Sequence, residues 1–315
     1  MVEVNKFTKK VFITGASGFV GRNLKSFLNG TGWLVAGISL RDPNWKTRIE
    51  GASANSIIHL AGKAHDTSSH IKAKDYFKIN RDLTIELFDL FLQSDIKDFF
   101  YFSSVKAVAD SVTGVLVEDI KGKPVTAYGR SKFQAEQYLL KSKLPAGKRL
   151  FIIRPSMIHG PGNKGNLNLL YKVIERGLPW PLAAFHNQRS FLSIDNLNYL
   201  IKRMILDPGI PSGVYNFADD EVVSTNDLIT LIAKSLGRPP RLWNIPKKFI
   251  EVSVKLGNLF PLPLNSDRLK KLTESYVVTN QKIKLALNVN RLPVTAREGL
   301  VKTIESFGPL DEIEL

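Results

Sequence analysis

Cysteine is absent from this 315-residue chain, and methionine and tryptophan are scarce, with three and four residues. Without thiols the chain can form neither disulfides nor thiolate metal sites, so its stability must come from apolar packing and hydrogen bonds. The absence of cysteine agrees with a reducing compartment, and we predict a cytoplasmic protein.

Histidines supported by nearby acids, another common source of metal ligands, are also missing. The five histidines are His59, His65, His70, His159 and His186. None of them stands at metal-ligand spacing with acidic neighbours. We therefore predict no metal site.

Long apolar runs do not occur. A bilayer-spanning helix needs about 20 consecutive apolar residues, and no run in this sequence approaches that length. The opening segment MVEVNKFTKKVFITG has neither the apolar stretch nor the cleavage site of a signal peptide. We expect no stable insertion into a membrane.

Acidic residues are few relative to basic ones, 29 against 44, which gives a formal charge of +15. Such an excess suits a nucleic acid, an anionic membrane surface or a phosphorylated substrate. The basic residues are scattered in ones and twos, as at Lys9 and Lys10 or Lys270 and Lys271, with no arginine-rich arm and no nucleic-acid motif. The pattern favours a solvated basic surface and a site for a polyanionic small molecule, without nucleic-acid binding.

The residues that are present describe a globular body, with 43% hydrophobic residues and a mean hydropathy of −0.07. Runs rich in β-branched and aromatic residues alternate with segments of helical periodicity, and these runs are KVFITG, WLVAGIS, NSIIHLAG, DFFYFSS and RLFIIRP. The alternation predicts an α/β fold with a doubly wound parallel sheet. The link between GIS and NSIIHL is short, so a further strand there should be abbreviated or absent, while SGVYNFA should return late to the sheet.

A glycine motif follows the first predicted strand. In VFITGASGFVG, Gly15 permits a tight turn, Gly18 allows the backbone to approach a pyrophosphate, and Gly21 permits close packing of the next helix. The phosphate charge would lie at the helix N-terminus. The motif predicts dinucleotide binding, although a glycine-rich turn without a ligand has the same composition.

The Gly-x-x-Gly-x-x-Gly spacing resembles that of the short-chain dehydrogenase/reductase superfamily and its extended epimerase/dehydratase members. TGASGFVG, IIHLAG, FSS, YGRSK, RPSMIHGPG and RSFLSIDNL occur in that family's order. The subgroup most similar contains 4-reductases of UDP-linked N-acetyl-4-keto-6-deoxyhexosamines. The resemblance implies a Rossmann-type domain over 1–163 plus about 191–222, and an interleaved C-terminal nucleotide-sugar lobe over about 164–190 plus 223–315.

The resemblance also implies a cofactor-binding set. Its members are Gly15, Ser17, Gly18, Phe19, Val20, Gly21, Arg22, Ser39, Arg41, Leu60, Ala61, Gly62, Asn80, Tyr128, Lys132 and Pro155. An NAD-preferring member carries an acid near the end of the second strand, where this chain has Ser39 and Arg41, which would suit the 2′-phosphate of NADP(H). Asp42 is close enough in sequence to serve NAD, so NADP(H) is the favoured cofactor and NAD(H) the alternative.

Tyr128 and Lys132 lie one helical turn apart in TAYGRSK and therefore share a helix face. An ammonium close to a phenol lowers the phenol pKa, which makes the tyrosine a better proton-transfer group. The family pattern adds a hydroxyl at the end of DFFYFSS, and Ser104 has the family's interval to Tyr128, with Ser103 as the neighbouring candidate. The implied catalytic set is Ser104, Tyr128 and Lys132.

Family members that eliminate water carry an Asp-Glu pair immediately after the catalytic hydroxyl residue. Val105 and Lys106 occupy those positions here, and valine cannot exchange a proton, so dehydration is not expected. Lys106 is either a surface lysine or a residue that faces the substrate.

The family pattern implies substrate-binding residues farther along the chain. Asn166 and Leu167 would place a helix N-terminus at the pyrophosphate, with a plain helix cap as the alternative for Asn166. Pro181 in PWPL matches a uracil-binding segment, and Arg189 matches the arginine that neutralises the diphosphate. Arg268 is a second candidate for the phosphate.

The resulting hypothesis is an NAD(P)H-dependent reductase of a UDP-linked 4-keto-6-deoxy-N-acetylhexosamine, used for bacterial polysaccharide precursors and acting as a possible homodimer. Two alternatives remain: a UDP-sugar 4-epimerase that retains NAD, and a catalytically silent NADP(H) sensor of the same fold. The intact Tyr128 and Lys132 argue against the sensor.

Overall fold

The computed structural model describes residues 9–51, 53–63, 72–163, 165–259 and 266–308, with backbone only for 166, 255–259, 267 and 268. The strands are β1 Lys10–Thr14, β2 Leu34–Ile38, β3 Ser56–His59, β4 Asp98–Phe102, β5 Val115–Leu116, β6 Arg149–Pro155, β7 Met157–His159, β8 Arg189–Ser193, β9 Gly213–Phe217, β10 Val222–Val223 and β11 Val277–Val278. The α-helices are α1 Phe19–Gly30, α2 Trp45–Glu50, α3 Ala73–Phe77, α4 Leu83–Gln93, α5 Ala127–Lys141, α6 Asn166–Glu175, α7 Ile194–Leu206, α8 Thr225–Ser235, α9 Lys247–Leu259, α10 Ser266–Thr273, α11 Gln281–Ala286 and α12 Ala296–Glu305. A π-helical turn, Lys78–Asp82, joins α3 to α4, and a 3₁₀ turn, Val105–Ala107, follows β4.

The central sheet has six strands in the order β2-β1-β3-β4-β6-β9, and every neighbouring pair is parallel. The predicted α/β fold with a parallel sheet is confirmed, including the late strand β9, which pairs with β6. The strand order reverses between β1 and β3, and the carboxyl ends at such a reversal form the crevice in which doubly wound sheets bind ligands.

The short second connection has the predicted form. Between β2 and β3 the described residues contain the six-residue helix α2 and no strand. The sheet therefore ends at β2 on this side.

Helices cover both faces of the sheet because alternate strand residues point to opposite faces. On one face, Val11, Ile13 and Phe100 pack with α1 and α7 residues such as Leu24 and Leu197. The opposite face packs against α2, α4 and α5. Near-continuous burial of β1, β3, β4 and β6 explains why these strands read as apolar runs.

A second apolar cluster surrounds a three-stranded sheet of order β10-β8-β7. Its buried residues come mainly from α6, α8, α9 and α12. Segments far apart in sequence thus pack together, as an interleaved lobe requires. The lobe boundaries predicted above stay a prediction, and those near residues 190 and 222 run through strands of this small sheet.

The helices of the described residues include none that is both long and apolar enough to cross a membrane.

Candidate active site

The glycine motif forms a turn at the end of β1. Gly15 has φ +70°, a conformation that favours glycine, and a Cβ there would lie 2.7 Å from the backbone nitrogen of Ala61. A Cβ on Gly21 would lie 2.3 Å from the carbonyl oxygen of Gly15. Glycine at both positions therefore lets α1 pack closely on the turn, as the sequence predicts, and also lets the loop after β3 approach it.

A cavity of about 650 Å³ opens above this turn. Eight predicted cofactor residues line it: Gly15, Ser17, Gly18, Ser39, Arg41, Leu60, Ala61 and Gly62. Lining residues that the sequence reasoning missed are Ala16, Gly37, Ile38, Leu40, Lys63, Ile79 and Leu83. Its volume lies within the range of small-molecule sites, and its glycine floor fits a dinucleotide.

The remaining predicted residues of the α1 region act around the turn. Phe19 and Val20 are half-buried and pack on the apolar core of the sheet, and Gly21 lies in the helix. Arg22 is exposed, and its guanidinium donates a hydrogen bond of 2.5 Å to the carbonyl oxygen of Ser17. Arg22 therefore braces the glycine loop.

Asn80 lies in the π-helical turn and is fully buried. Its Oδ1 and its Nδ2 both have hydrogen-bond partners. Its Oδ1 accepts from the backbone of Lys63 at 2.7 Å, and its Nδ2 donates to Lys63 and to the Ser131 hydroxyl, both at 3.1 Å. A Cβ on Gly62 would lie 3.0 Å from Asn80 Oδ1 and 3.2 Å from Lys132 Nζ. The three residues thus meet beside the cavity, and π-helical turns recur at functional sites.

Lys132 is buried on α5 with its ammonium aimed at the end of β4. Nζ donates to the carbonyl oxygen of Phe102 at 2.7 Å and lies 4.9 Å from the ring centre of Tyr101. Burial lowers the pKa of Lys132 to about 8, and the carboxylate of Glu136 opposes that shift. The group can therefore change its protonation state near physiological pH.

Tyr128 and Ser104 are brought together as the sequence predicts. Their side chains are hydrogen-bonded, and Ser104 Oγ also accepts from the backbone of Lys106 at 3.2 Å. Burial raises the pKa of the Tyr128 phenol, the bond to Ser104 works in the opposite direction, and Tyr76 adds to the rise. The expectation of a lowered pKa is therefore not met. The phenol is protonated at neutral pH, because Lys132 bonds to a carbonyl and burial dominates.

The start of α5 is fixed by local hydrogen bonds. Thr126 Oγ1 caps the helix by accepting from Gly129 at 3.1 Å. The carboxylate of Asp110 accepts from the backbones of Val125 and Thr126 at 2.7 and 3.3 Å. These bonds set the position of Tyr128, two residues into the helix.

A buried hydrogen-bond chain that the sequence reasoning missed joins the glycine turn to Asn80. Thr84 Oγ1 donates to the carbonyl oxygen of Asn80 at 2.9 Å, so its proton is used there. His59 Nε2, 2.9 Å from Thr84 Oγ1, must then be the donor, which leaves Nδ1 to accept from Thr14 Oγ1 at 2.6 Å. Burial lowers the pKa of His59 to about 3, and the histidine is neutral. The position of His59 at the end of β3, a strand end that faces the site, is the sequence feature that could have indicated this role.

A buried ion pair joins α5 to strand β6. Arg154 donates to both carboxylate oxygens of Glu136, at 3.0 Å through Nε and 2.6 Å through Nη2. Glu136 lies one turn after Lys132, so the pair fixes α5 against β6 and keeps a negative charge near the ammonium. The neighbouring Pro155, a predicted cofactor contact, is buried at the end of β6.

The two residues after Ser104 have structural contacts. Val105 is 5% exposed and belongs to a small apolar cluster. Lys106 Nζ donates to the carbonyl oxygen of Asp110 at 2.7 Å and lies 4.1 Å from the ring centre of Tyr276. Burial lowers the pKa of Lys106, and the charge of Arg189 acts in the same direction. The carboxylates of Asp110 and Glu274 oppose the lowering of the Lys106 pKa. Tyr276 links the two cations, because its ring lies against Lys106 and its backbone forms a β-bridge with Arg189.

The predicted substrate residues fall on separate elements of the second lobe. Arg189 begins β8, is half-buried, and donates to the carbonyl oxygen of Lys271. Asn166 is the first residue of α6 and Gly165 is the cap, so the cap alternative for Asn166 is wrong; its side chain lies outside the described part. Leu167 is buried in the lobe core, which leaves only its backbone for a ligand. Pro181 is half-buried next to Trp180, and the side chain of Arg268 lies outside the described part.

The model of the NAD dependent epimerase/dehydratase family matches residues 11–218. The chain belongs to this family. The resemblance inferred from the motifs is thereby confirmed at family level, as is the prediction of an enzyme that works with a nicotinamide cofactor.

Three known proteins illustrate the relationship. A UDP-glucose 4-epimerase of Vibrio cholerae is 30% identical over 96% of this chain and 96% of its own length. A GDP-6-deoxy-D-mannose reductase of Pseudomonas aeruginosa is 24% identical over 72% of this chain and 80% of its own length. The structure of MoeE5 in complex with UDP-glucose and NAD has a TM-score of 0.75 and 20% identity, with 94% of this chain and 98% of that chain covered.

Proposed function

We propose that this enzyme uses NADPH to reduce a UDP-linked 4-keto-6-deoxy-N-acetylhexosamine to the 4-hydroxy sugar. The observation that carries the proposal is the pair that follows Ser104: a buried apolar Val105 and a Lys106 bonded to a backbone carbonyl. Valine has no ionisable group, and a lysine in place of the glutamate reverses the charge pattern that the elimination uses. Ketone reduction needs neither of them.

The catalytic step requires one proton at the C4 oxygen of the sugar. Tyr128 enters as a protonated phenol, because burial raises its pKa, and it donates that proton while Ser104 hydrogen-bonds the same oxygen. NADPH, when bound, would supply the hydride for the carbonyl carbon. Lys132 lies one helical turn from Tyr128 on α5, with its ammonium bonded to the carbonyl oxygen of Phe102. The carbonyl double bond becomes a C–H and an O–H bond, which balances the reaction.

The choice of NADPH is supported by the walls of the cavity. Ser39 and Arg41 line it, whereas Asp42 is turned to α2, where its oxygens accept from the backbone of Asn44 at 2.9 Å and from Arg48 at 3.4 Å. A guanidinium suits a 2′-phosphate, and a carboxylate in the same place would repel it. We expect Arg41→Ala to raise the KM for NADPH far more than the KM for NADH. Equal effects on both would refute the role of Arg41.

The choice of a UDP sugar is supported by two relatives and by charge. The Vibrio cholerae relative is a UDP-glucose 4-epimerase, and MoeE5 binds UDP-glucose. Arg189 and Lys106 both contact Tyr276 on the substrate side, with Glu274 near both cations, and we assign Arg189 to the diphosphate. Asn166, Leu167, Pro181 and Arg268 remain proposed substrate contacts on the family pattern alone.

Epimerisation at C4 is the second candidate, because the relative with 30% identity along nearly its whole length is an epimerase. An epimerase oxidises the sugar and returns the same hydride, so it works without added cofactor. The test is to give the purified enzyme UDP-N-acetylglucosamine or UDP-N-acetylgalactosamine alone. Their interconversion would establish the epimerase. The reductase should leave both unchanged and consume NADPH only with the 4-keto sugar.

A further inference from the structure

An exposed apolar surface lies on the second lobe, where its backbone pairs with Trp180, the residue before the proposed substrate contact Pro181. Trp243 is 52% exposed and Phe249 is 68% exposed, although both are large apolar side chains. We call the group to which they belong the Trp243 surface. Its members are Leu178, Leu242, Trp243, Phe249 and Val252.

Backbone pairing holds one part of this surface together. Trp180 donates to Arg241 and Trp243 donates to Trp180, each at 2.8 Å, so the chain around Trp180 runs beside 241–243. Arg241 also donates to the carbonyl oxygen of Gly177 at 2.9 Å. The exposed Leu178 and Leu242 therefore lie on the same ribbon as Trp243.

Helix α9 supplies the other part. Ile250 and Val254, one turn apart, are buried in the core of the lobe, while Phe249 and Val252 are exposed. A helix that is apolar on its outward side as well as its inward side has a second surface to cover. Lys247, at the start of α9, lies over the ring of Phe185 at 5.4 Å, which joins the helix to the segment that follows Trp180.

The charge around the Trp243 surface is mainly positive. Residues 237–254 contain four basic side chains, Arg238, Arg241, Lys247 and Lys248, and one acid, Glu251. In the part of the chain that the structure describes, the ion pairs include none of these four cations. The guanidinium groups of Arg238 and Arg241 donate hydrogen bonds to backbone carbonyl oxygens. These carbonyls are neutral, so they do not compensate the charge of the two arginines.

We propose that the Trp243 surface docks on an anionic lipid bilayer. Aromatic and aliphatic side chains bordered by lysine and arginine are the composition of helices that lie in the membrane interface. A nucleic acid would offer Phe249 and Val252 no apolar surface to contact. A neutral apolar partner would leave the four cations without a counter-charge. The surface holds the enzyme at the bilayer through side chains that lie in the interface, and the described helices include none that could cross it. This inference does not depend on which sugar the enzyme reduces.

The test is flotation of the intact enzyme with vesicles of phosphatidylglycerol mixed with phosphatidylcholine, compared with vesicles of phosphatidylcholine alone. We expect binding only to the anionic vesicles, and we expect it to fall about tenfold or more between about 0.1 M and about 0.5 M salt, because screening shortens the reach of the charges. Binding to both vesicle types that is insensitive to salt, or to neither, would overturn the proposal.

Two double variants separate the contributions of charge and apolar contact. Lys247→Glu with Lys248→Glu, and Phe249→Ser with Val252→Ser, should each reduce the bound fraction strongly. The matched control is Lys282→Glu with Leu285→Ser on α11, where Leu285 is 70% exposed, and it should bind like the wild type. Retained NADPH binding in solution verifies that each variant is folded. Equal losses in all three variants would refute the proposal.

A second outcome would also refute it. If the wild type is a dimer and Phe249→Ser with Val252→Ser dissociates that dimer, the surface joins two copies of the chain and does not bind lipid.

Discussion

The two sides of the candidate site are built differently. On the cofactor side, Asn80, His59 and Thr84 are linked by hydrogen bonds to strand ends and to the glycine turn. On the substrate side, Lys106 and Arg189 lie close together, and burial lowers the pKa of both. The polar side chains of the first side bond to one another, whereas the second side holds two partly buried cations with acids nearby: Glu274 acts on both, and Asp110 acts on Lys106. The cofactor side is therefore fixed by its own hydrogen bonds, and the substrate side carries two cations to which an anionic ligand would add a further counter-charge.

Removal of the proposed proton donor should have the largest effect. Tyr128→Phe keeps the ring and deletes only the hydroxyl that bonds to Ser104, so cofactor affinity should change little while kcat falls by about 10²–10⁴-fold. The measurement is steady-state kinetics together with NADPH titration. A kcat above about a tenth of the wild-type value would remove Tyr128 from the mechanism.

Disruption of the ion pair beneath Lys132 should cost stability first. Glu136→Gln leaves Arg154 buried without its carboxylate, and loss of one partner of a buried pair costs about 3–5 kcal/mol. Urea denaturation measures the change in the free energy of unfolding. Glu86→Gln is the control, since its pair with Lys46 is half-exposed at 3.3 Å and should contribute less than about 1 kcal/mol. Equal changes in the two variants would contradict the role of the buried pair.

The difference between the two sides also explains what could be predicted from the sequence. The strand ends of a parallel sheet meet at one edge, so the strand pattern could place Gly15 and Ser104 at that edge, while the family resemblance assigned Ser104 and Tyr128 to one site. The side chains of Glu136 and His59 look like ordinary helix and strand residues, because their partners Arg154 and Thr84 are 18 and 25 residues away. Nothing local predicts such pairings.

Prediction was weaker in the second lobe, because its sequence lacks the regular alternation of strands and helices that the first half of the chain shows. The sequence placed a helix start near Asn166, and α6 does begin there, but Gly165 takes the cap position and Leu167 turns into the core. Helix boundaries depend on caps that several neighbouring residues can supply. The proximity of Lys106 to Arg189 depends on how the lobes pack, which no single segment specifies.

Substitution of Arg189 tests whether this cation binds the diphosphate. Arg189→Ala should weaken the competition of UDP with the substrate by about 1.5–3 kcal/mol, the contribution of a hydrogen bond to a charged group. Calorimetry with UDP measures the affinity directly. Arg297→Ala, an exposed arginine on α12, is the control and should leave the affinity unchanged. If UDP does not bind the wild-type enzyme, the nucleotide-sugar proposal fails, whatever the cofactor affinity.

The smallest expected effect is a pH dependence that separates catalysis from stability. Burial lowers the pKa of Lys132 to about 8, so the free enzyme carries the ammonium below that pH and loses it above. The pH profile of kcat/KM reports groups of the free enzyme, and we expect it to fall about tenfold per pH unit above about 8. Tyr128 should not contribute to this loss, since its pKa is raised and the phenol stays protonated there.

Stability should change in the opposite direction over the same range. Between about 8 and the ordinary lysine pKa of 10.5, the unfolded chain still binds the proton that folded Lys132 has released. The unfolded state then binds more protons, so this group makes the free energy of unfolding rise with pH. Lys132→Met should remove both effects, with a low, flat activity profile and no contribution of this kind to the pH dependence of unfolding. Parallel losses of activity and stability in the wild type would mean that alkaline unfolding, and not Lys132, limits the reaction. A kcat/KM that stays constant to pH about 10 would show that the neutral amine serves equally well.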